Sequence, residues 1–181
     1  MQKTILYFEK PGKENTAATL KAARSSAEQL GIHQVVVASS HGYTAVQANN
    51  AFAGLDTRII AVTLNASFSG SMTGSERGSL QSMGIQVLTS THTLGDDIGP
   101  ALGIVAPNAI VRETLYTFSQ GMKEAVEVAL MAADAGLLNM SEEVISIAGT
   151  DRGADTAIVI KPAYTRKFSE LRIREILAKP R

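Results

Sequence analysis

Cysteine is absent from the 181 residues, which excludes disulfides, cysteine nucleophiles and thiolate metal ligands. Neither charge is in excess, since seventeen basic residues cancel seventeen acidic ones. The one local basic cluster, Arg172, Arg174, Lys179 and Arg181, alternates with Glu170, Glu175 and apolar positions. Nucleic acid is therefore not an expected partner. No apolar run approaches the roughly 20 residues that span a bilayer, so no membrane is expected either. The run Ile5-Leu6-Tyr7-Phe8 is too short for a signal peptide and meets Glu9-Lys10 at once. The expected location is cytoplasmic, where Asn65-Ala66-Ser67 and Asn139-Met140-Ser141 carry no glycan. His33, His41 and His92 are scattered without metal-ligand spacing, and no metal is expected. Serine-hydrolase chemistry lacks its elbow, because Gly70-Ser71-Met72-Thr73-Gly74 puts methionine where the nucleophile would stand. A P-loop is missing too. No repeat, low-complexity tract or linker interrupts the chain.

What is present reads as one α/β domain over residues 1–181, within the length prior of about 100–200 residues. Thr4–Phe8 is a short β run broken by Pro11-Gly12, and Glu14–Leu30 carries Ala17, Leu20, Ala23, Ala27 and Leu30 at helical spacing up to Gly31. Val35–Ala38 and Thr44–Phe52 repeat the strand-helix unit, with Gly54 closing it, and Arg58–Leu64 supplies a third, β-branched strand. Asn65–Gly74 has no periodicity and reads as a long loop or flap. Glu76–Met83 is a modest helix and Ile85–Leu88 a fourth strand. Between His92 and Pro107 the pattern is weak and glycine-rich, with Pro100 and Pro107 marking helix starts. Ala109–Phe118 and Gly121–Ala135 have helical spacing, the latter being the longest helix, closed by Gly136. Glu143–Ala148 and Thr156–Ile160 flank a short turn and read as a hairpin, and Ile173–Leu177 adds a last strand. Continuous apolar strands separated by helices imply a mostly parallel sheet covered on both faces, made mixed by antiparallel strands at one edge.

The chemistry concentrates where strands end. Val35-Val36-Val37-Ala38 breaks into Ser39-Ser40-His41-Gly42-Tyr43-Thr44-Ala45. At a strand-to-helix junction the first helical N–H groups lack partners and the dipole is positive, so a phosphate can be held by backbone alone. Ser39, Ser40 and Thr44 add hydroxyls, and Gly42 permits close approach. The competing reading is an ordinary helix cap. Gly149-Thr150-Asp151-Arg152-Gly153-Ala154-Asp155-Thr156 brings two glycines, hydroxyls and the cation that the first loop lacks; otherwise it is a plain hairpin turn with Arg152 in solvent. Asp134 lies in the apolar helix end Leu130–Gly136, where an unpaired charge is costly. It either caps a neighbouring element or meets a ligand hydroxyl or ring nitrogen. Glu9 and Lys10 are either a pair at the sheet's ligand-binding edge or a solvated turn. The strand ends after Phe8, Ala38 and Leu64 are expected to lie side by side around one crevice.

Phe8-Glu9-Lys10-Pro11-Gly12 with Glu14-Asn15-Thr16, Val36-Val37-Ala38-Ser39-Ser40 with Gly42 and Thr44-Ala45, Met131-Ala132-Ala133-Asp134-Ala135-Gly136, and Gly153-Ala154-Asp155-Thr156-Ala157 followed by Val159-Ile160, Pro162-Ala163 and Phe168 resemble free-standing relatives of the pyruvate kinase carboxy-terminal domain. The resemblance runs through nearly the whole chain in order, and is poor from about residue 65 to 118. It implies a three-layer α/β/α sandwich with a mixed, mostly parallel sheet. It does not imply pyruvate kinase chemistry, which needs a barrel domain that 181 residues leave no room for. What it implies instead is binding of a phosphorylated cofactor, with FMN first. In the larger relatives the equivalent domain is regulatory and a strand-loop-helix of this type holds a sugar phosphate.

Hydrogen bonds to charged groups contribute about 1.5–3 kcal/mol each, against roughly 8 kcal/mol net for micromolar binding. Phosphate contacts alone are marginal, so a large planar part that stacks and buries area is favoured. Candidate covers are Phe8, Tyr43 and Met131, with Asn15, Thr63 and Thr150 as polar partners. Three functions follow: a flavin-binding protein, with a flavin-dependent reductase as its enzymatic form; a non-catalytic sugar-phosphate sensor or regulatory subunit of another enzyme; and a metabolite-processing enzyme using Asp134 or Asp155 as base. A homo-oligomer is compatible with each.

Overall fold

The computed structural model describes residues 2–95 and 98–181. Seven strands form one sheet in the order β1-β7-β6-β5-β2-β3-β4. They are β1 (Leu6–Phe8), β2 (Gln34–Ala38), β3 (Arg58–Thr63), β4 (Gln86–Thr89), β5 (Val144–Ala148), β6 (Thr156–Lys161) and β7 (Arg172–Pro180). The β2–β3, β2–β5, β3–β4 and β1–β7 pairs are parallel. Only β6 runs the other way, antiparallel to both β5 and β7. The expected hairpin is present, with Val144 opposite Ile160 and Ala148 opposite Thr156. It does not sit at the edge, however. After β6 the chain returns as β7, and β1 pairs outside that strand.

The helices are α1 (Thr16–Leu30), α2 (Tyr43–Ala51), α3 (Gly74–Ser82), α4 (Ile98–Ala101), α5 (Pro107–Tyr116) and α6 (Gln120–Asp134), with short 3-10 turns at Lys13–Asn15 and Thr165–Glu170. Successive side chains of a strand point to opposite faces, and the core divides accordingly. Val35, Val37, Ile59, Ala61, Ile145, Ile147, Ala157 and Val159 pack with Leu20, Ala23 and Ala27 of α1, Ala45 and Ala48 of α2 and Leu80 of α3. Val36, Ile60, Val62, Val144, Ala148, Ile158 and Ile160 face the other way, onto Met122, Val126, Ala129, Leu130 and Ala133 of α6. Three layers result. Strands buried on both faces are why these segments read as unbroken apolar runs rather than alternating ones.

Pro107 opens α5, and Pro100 lies in the first turn of the short α4. Asp96 and Asp97, within the weakly patterned stretch, lie outside the described residues. The chain enters β2, moves outward through β3 to β4, and returns to place β5 on the other side of β2. Strand order thus reverses between β2 and β5. In open α/β sheets the crevice beyond the carboxyl ends at that point is where ligands bind.

Candidate functional site

A crevice of about 490 Å³ opens at that reversal, a size usual for small-molecule sites. Its walls are the loop after β2 (Ser39, Ser40, His41, Tyr43, Thr44), the β5–β6 turn (Gly149, Asp151, Arg152, Gly153), the ends of β2 and β3 (Ala38, Val62, Thr63, Leu64), Lys13, His92, and Gln120, Glu124 and Val128 of α6.

The first loop has helix-start geometry. Gly42 stands before α2 at φ 90°, a left-handed conformation, and an added Cβ there would lie 3.2 Å from Leu80. Ser39 Oγ accepts from Ala45 N at 3.2 Å, so that hydroxyl is spent on capping α2. Among the described residues the amides of Tyr43 and Thr44, the first two of the helix, have no protein acceptor. Thr63 Oγ1 donates to Ser40 O at 3.0 Å, tying β3 to this loop. His41 Nδ1 lies 3.2 Å from Glu76 Oε1. The Thr73 backbone amide, then its hydroxyl, hold the Glu76 carboxyl below the ordinary carboxylate range, in a capping box that starts α3. That contribution is present above the ordinary Glu pKa and is lost as pH falls through the lowered one.

The second wall is organised by Asp155, which is fully buried. Its Oδ2 accepts from Thr150 N at 3.0 Å and Gly12 N at 3.1 Å, and its Oδ1 from Thr156 Oγ1 at 2.8 Å. Ala154 N donates to Thr16 Oγ1 at 3.0 Å. Gly153, at φ 72°, passes so close to the start of α1 that an added Cβ would lie 2.5 Å from Thr16 Oγ1 and 2.8 Å from Lys13 Cα. The β1–α1 loop is thereby pressed against the β5–β6 turn. This docking brings Lys13 to the crevice, its Nζ 4.2 Å from the centroid of the Tyr43 ring. The Arg152 guanidinium has no ion pair or hydrogen bond among the described residues. Two cations, Lys13 and Arg152, thus line the same crevice as the open amides, as does Asp151.

The α6 wall has the opposite charge. Gln120, Glu124 and Val128, four residues apart, face the crevice on successive turns. Behind Glu124, Lys123 is buried, its Nζ 2.9 Å from Glu124 Oε1 and paired with Glu127 Oε2. Glu127 Oε1 accepts from Leu94 N at 2.7 Å. Burial opposes the lysine's charge, but the two carboxylates together outweigh it and raise its pKa. Ligand atoms of His92, Glu124 and Glu127 lie within 4.8 Å of one another. The Lys123 ammonium already contacts both carboxylates, so the protein supplies the cation there. The His92 ring lies 6.1 Å from that of Phe68, on the 65–73 loop.

Of the residues expected from sequence, Ser39, Ser40, His41, Tyr43, Thr44, Thr63, Gly149, Arg152 and Gly153 line this crevice. Gly42 and Thr150 shape its loops, and Ala45 is in the core. Phe8, Glu9, Lys10 and Asn15 do not line it. The expectation of three neighbouring strand ends fails for β1, which β7, β6 and β5 separate from β2. Glu9 and Lys10 form an exposed turn, and Asn15 Nδ2 donates to Lys10 O. Met131 is in the core under α6. Asp134, at the far end of that helix from Gln120, accepts from Thr165 N at 3.0 Å and from the Thr165 hydroxyl, capping the turn that begins there. Sequence reasoning missed Lys13, His92 and the α6 residues. The four-residue spacing of Gln120, Glu124 and Val128 was the available signal.

Comparison with known structures returns pyruvate kinase of Cryptosporidium parvum, at 12% identity and a TM-score of 0.41, covering 78% of this chain and 21% of that one. The same enzyme in complex with ADP gives 13%, 0.39, 78% and 22%. The chain spans about a fifth of the length of those pyruvate kinases. Residues 17–160 match the family described as pyruvate kinase, alpha/beta domain, and the chain belongs to that family.

Proposed function

We propose that the crevice binds a phosphorylated small molecule with a planar ring, FMN being the first such ligand. The observation carrying this reading is the convergence, at the point of strand reversal, of two acceptor-free amides at the start of α2 with the side chains of Lys13 and Arg152. Amides, helix dipole and two cations together suit a phosphate. Apolar surface from Ala38, Val62, Leu64 and Val128 suits the ring.

The test is the visible spectrum of purified protein, followed by calorimetric titration with FMN. Stoichiometric uptake is expected, and Arg152→Glu should weaken it about 10–100-fold, the worth of one charged hydrogen bond. A colourless protein that takes up no FMN overturns the flavin assignment. Arg152 is a better probe than Gly42, where a side chain would strain the backbone and press on Leu80. A second reading, a sugar-phosphate sensor that contacts another enzyme, draws on the exposed Leu102, Ile104, Val105, Ile110 and Phe118 around α5. Uptake of ribose 5-phosphate without uptake of FMN would favour it.

A further inference from the structure

The crevice is bipolar. Its loop wall holds Lys13 and Arg152 together with Asp151, while its α6 wall holds Glu124 beside apolar Val128 with no cation facing the crevice among the described residues. A site for phosphate alone has no use for that carboxylate. Nor is Glu124 a loosely solvated surface group. One of its oxygens is held by the Lys123 ammonium, which is itself fixed from behind by the buried Glu127, and Glu127 is fixed by the Leu94 amide. A buried ion pair contributes weakly to stability once its desolvation is counted. Here it does something else, since it sets the direction of a neighbouring carboxylate whose second oxygen has no partner among the described residues. Supporting contacts of this kind are what hold a recognition group within the tolerance that binding requires.

Resting on the phosphate reading above, we propose that Glu124 accepts a hydrogen bond from an N–H group on the ring edge of the ligand. The ligand class is then a phosphorylated nitrogen heterocycle bearing an imide or amino N–H, rather than a phosphorylated polyol. Two features carry the choice. Beside Glu124, whose polar neighbours are His92 and Gln120, the lining includes Val128, Val62 and Ala38, apolar surface that suits a ring face better than a chain of hydroxyls. The carboxylate, an acceptor only, needs a donor, and on a ring lying against that apolar surface the donor is an edge N–H. Gln120, one turn earlier on the same stripe, can pair with either a donor or an acceptor beside it.

The experiment titrates wild type, Glu124→Gln, Glu124→Asp and Arg152→Glu with two probes, FMN and ribose 5-phosphate. Glu124→Gln removes the charge at constant shape. Glu124→Asp keeps a charge opposite Lys123 but withdraws it from the crevice, and serves if the glutamine variant folds poorly. Both should weaken FMN binding about tenfold and leave ribose 5-phosphate within about twofold, whereas Arg152→Glu should weaken both probes. FMN affinity unchanged by either Glu124 variant, with both probes weakened by Arg152→Glu, overturns this inference and leaves the phosphate site standing. Equal weakening of both probes by the Glu124 variants overturns it as well, because a structural role would act that way. A wild type that binds neither probe overturns both readings.

Discussion

Replacing Lys123 with methionine will destabilise the fold by about 3–5 kcal/mol, the usual cost of leaving one member of a buried ion pair without its partner. Methionine matches the length of the lysine stem and keeps its packing, so the loss is electrostatic. Glu127 is fully buried, and its Oε2 has no donor besides that ammonium among the described residues. Glu127 cannot shed the difficulty by moving, because its other oxygen is bound to Leu94 N. The double variant Lys123→Met, Glu127→Gln should recover at least half of the loss, since glutamine still accepts from Leu94 N and brings no charge. Urea denaturation of the wild type and the two variants measures all three values. A single variant within about 1 kcal/mol of wild type would show that water or movement compensates Glu127. The pH dependence has a definite sign. A lysine whose pKa is raised in the folded state stabilises fully below its ordinary value of 10.5, and that contribution is lost only as pH rises through the raised one. Stability from this pair is therefore flat through neutral pH and falls in strong alkali.

The same pair shows why parts of the site were hidden in the sequence. Lys and Glu four residues apart on a helix read as a solvated surface pair, and nothing local reveals that α6 is buried along nearly its whole length. Local features were legible where the physics is local. Val35–Ala38 is an unbroken apolar run because β2 is covered on both faces, and a short turn with two glycines announced the β5–β6 hairpin. The cost of Asp134 in an apolar helix end called for a partner, either a capped element or a ligand group, and the Thr165 turn supplies the first. Strand order was not legible, because no residue of a three-residue strand states which neighbour it will pair with. That single gap put Phe8, Glu9 and Lys10 at the crevice on paper. Lys13, a few residues further on, reaches it because Gly12 is bound to Asp155 across 143 positions of sequence.

Asp155→Ala should be the most damaging change in the candidate site, costing about 3–5 kcal/mol and removing ligand affinity in whatever fraction stays folded. Three donors lose their acceptor at once: the amides of Gly12 and Thr150 and the hydroxyl of Thr156. Each unsatisfied buried group costs roughly 1–3 kcal/mol, and partial exposure of the two amides keeps the sum toward the lower end. Asp155→Asn should cost far less, about 1 kcal/mol. An asparagine oxygen can serve both amides, and its NH₂ can donate to Thr156 Oγ1, a hydroxyl able to accept. The contrast also separates two roles for this carboxylate. As a general base it would lose its function in the asparagine variant; as the clip between the β1–α1 loop and the β5–β6 turn it would lose little. Thermal unfolding and FMN titration of both variants make the comparison. The clip predicts an asparagine protein that binds nearly as wild type and an alanine protein that does not, because Lys13 and Arg152 line one crevice only while Gly12 and Thr150 share one oxygen. Equal stability of the two variants would remove that account and leave the convergence of the two cations to the close packing of Gly153 on Thr16 alone.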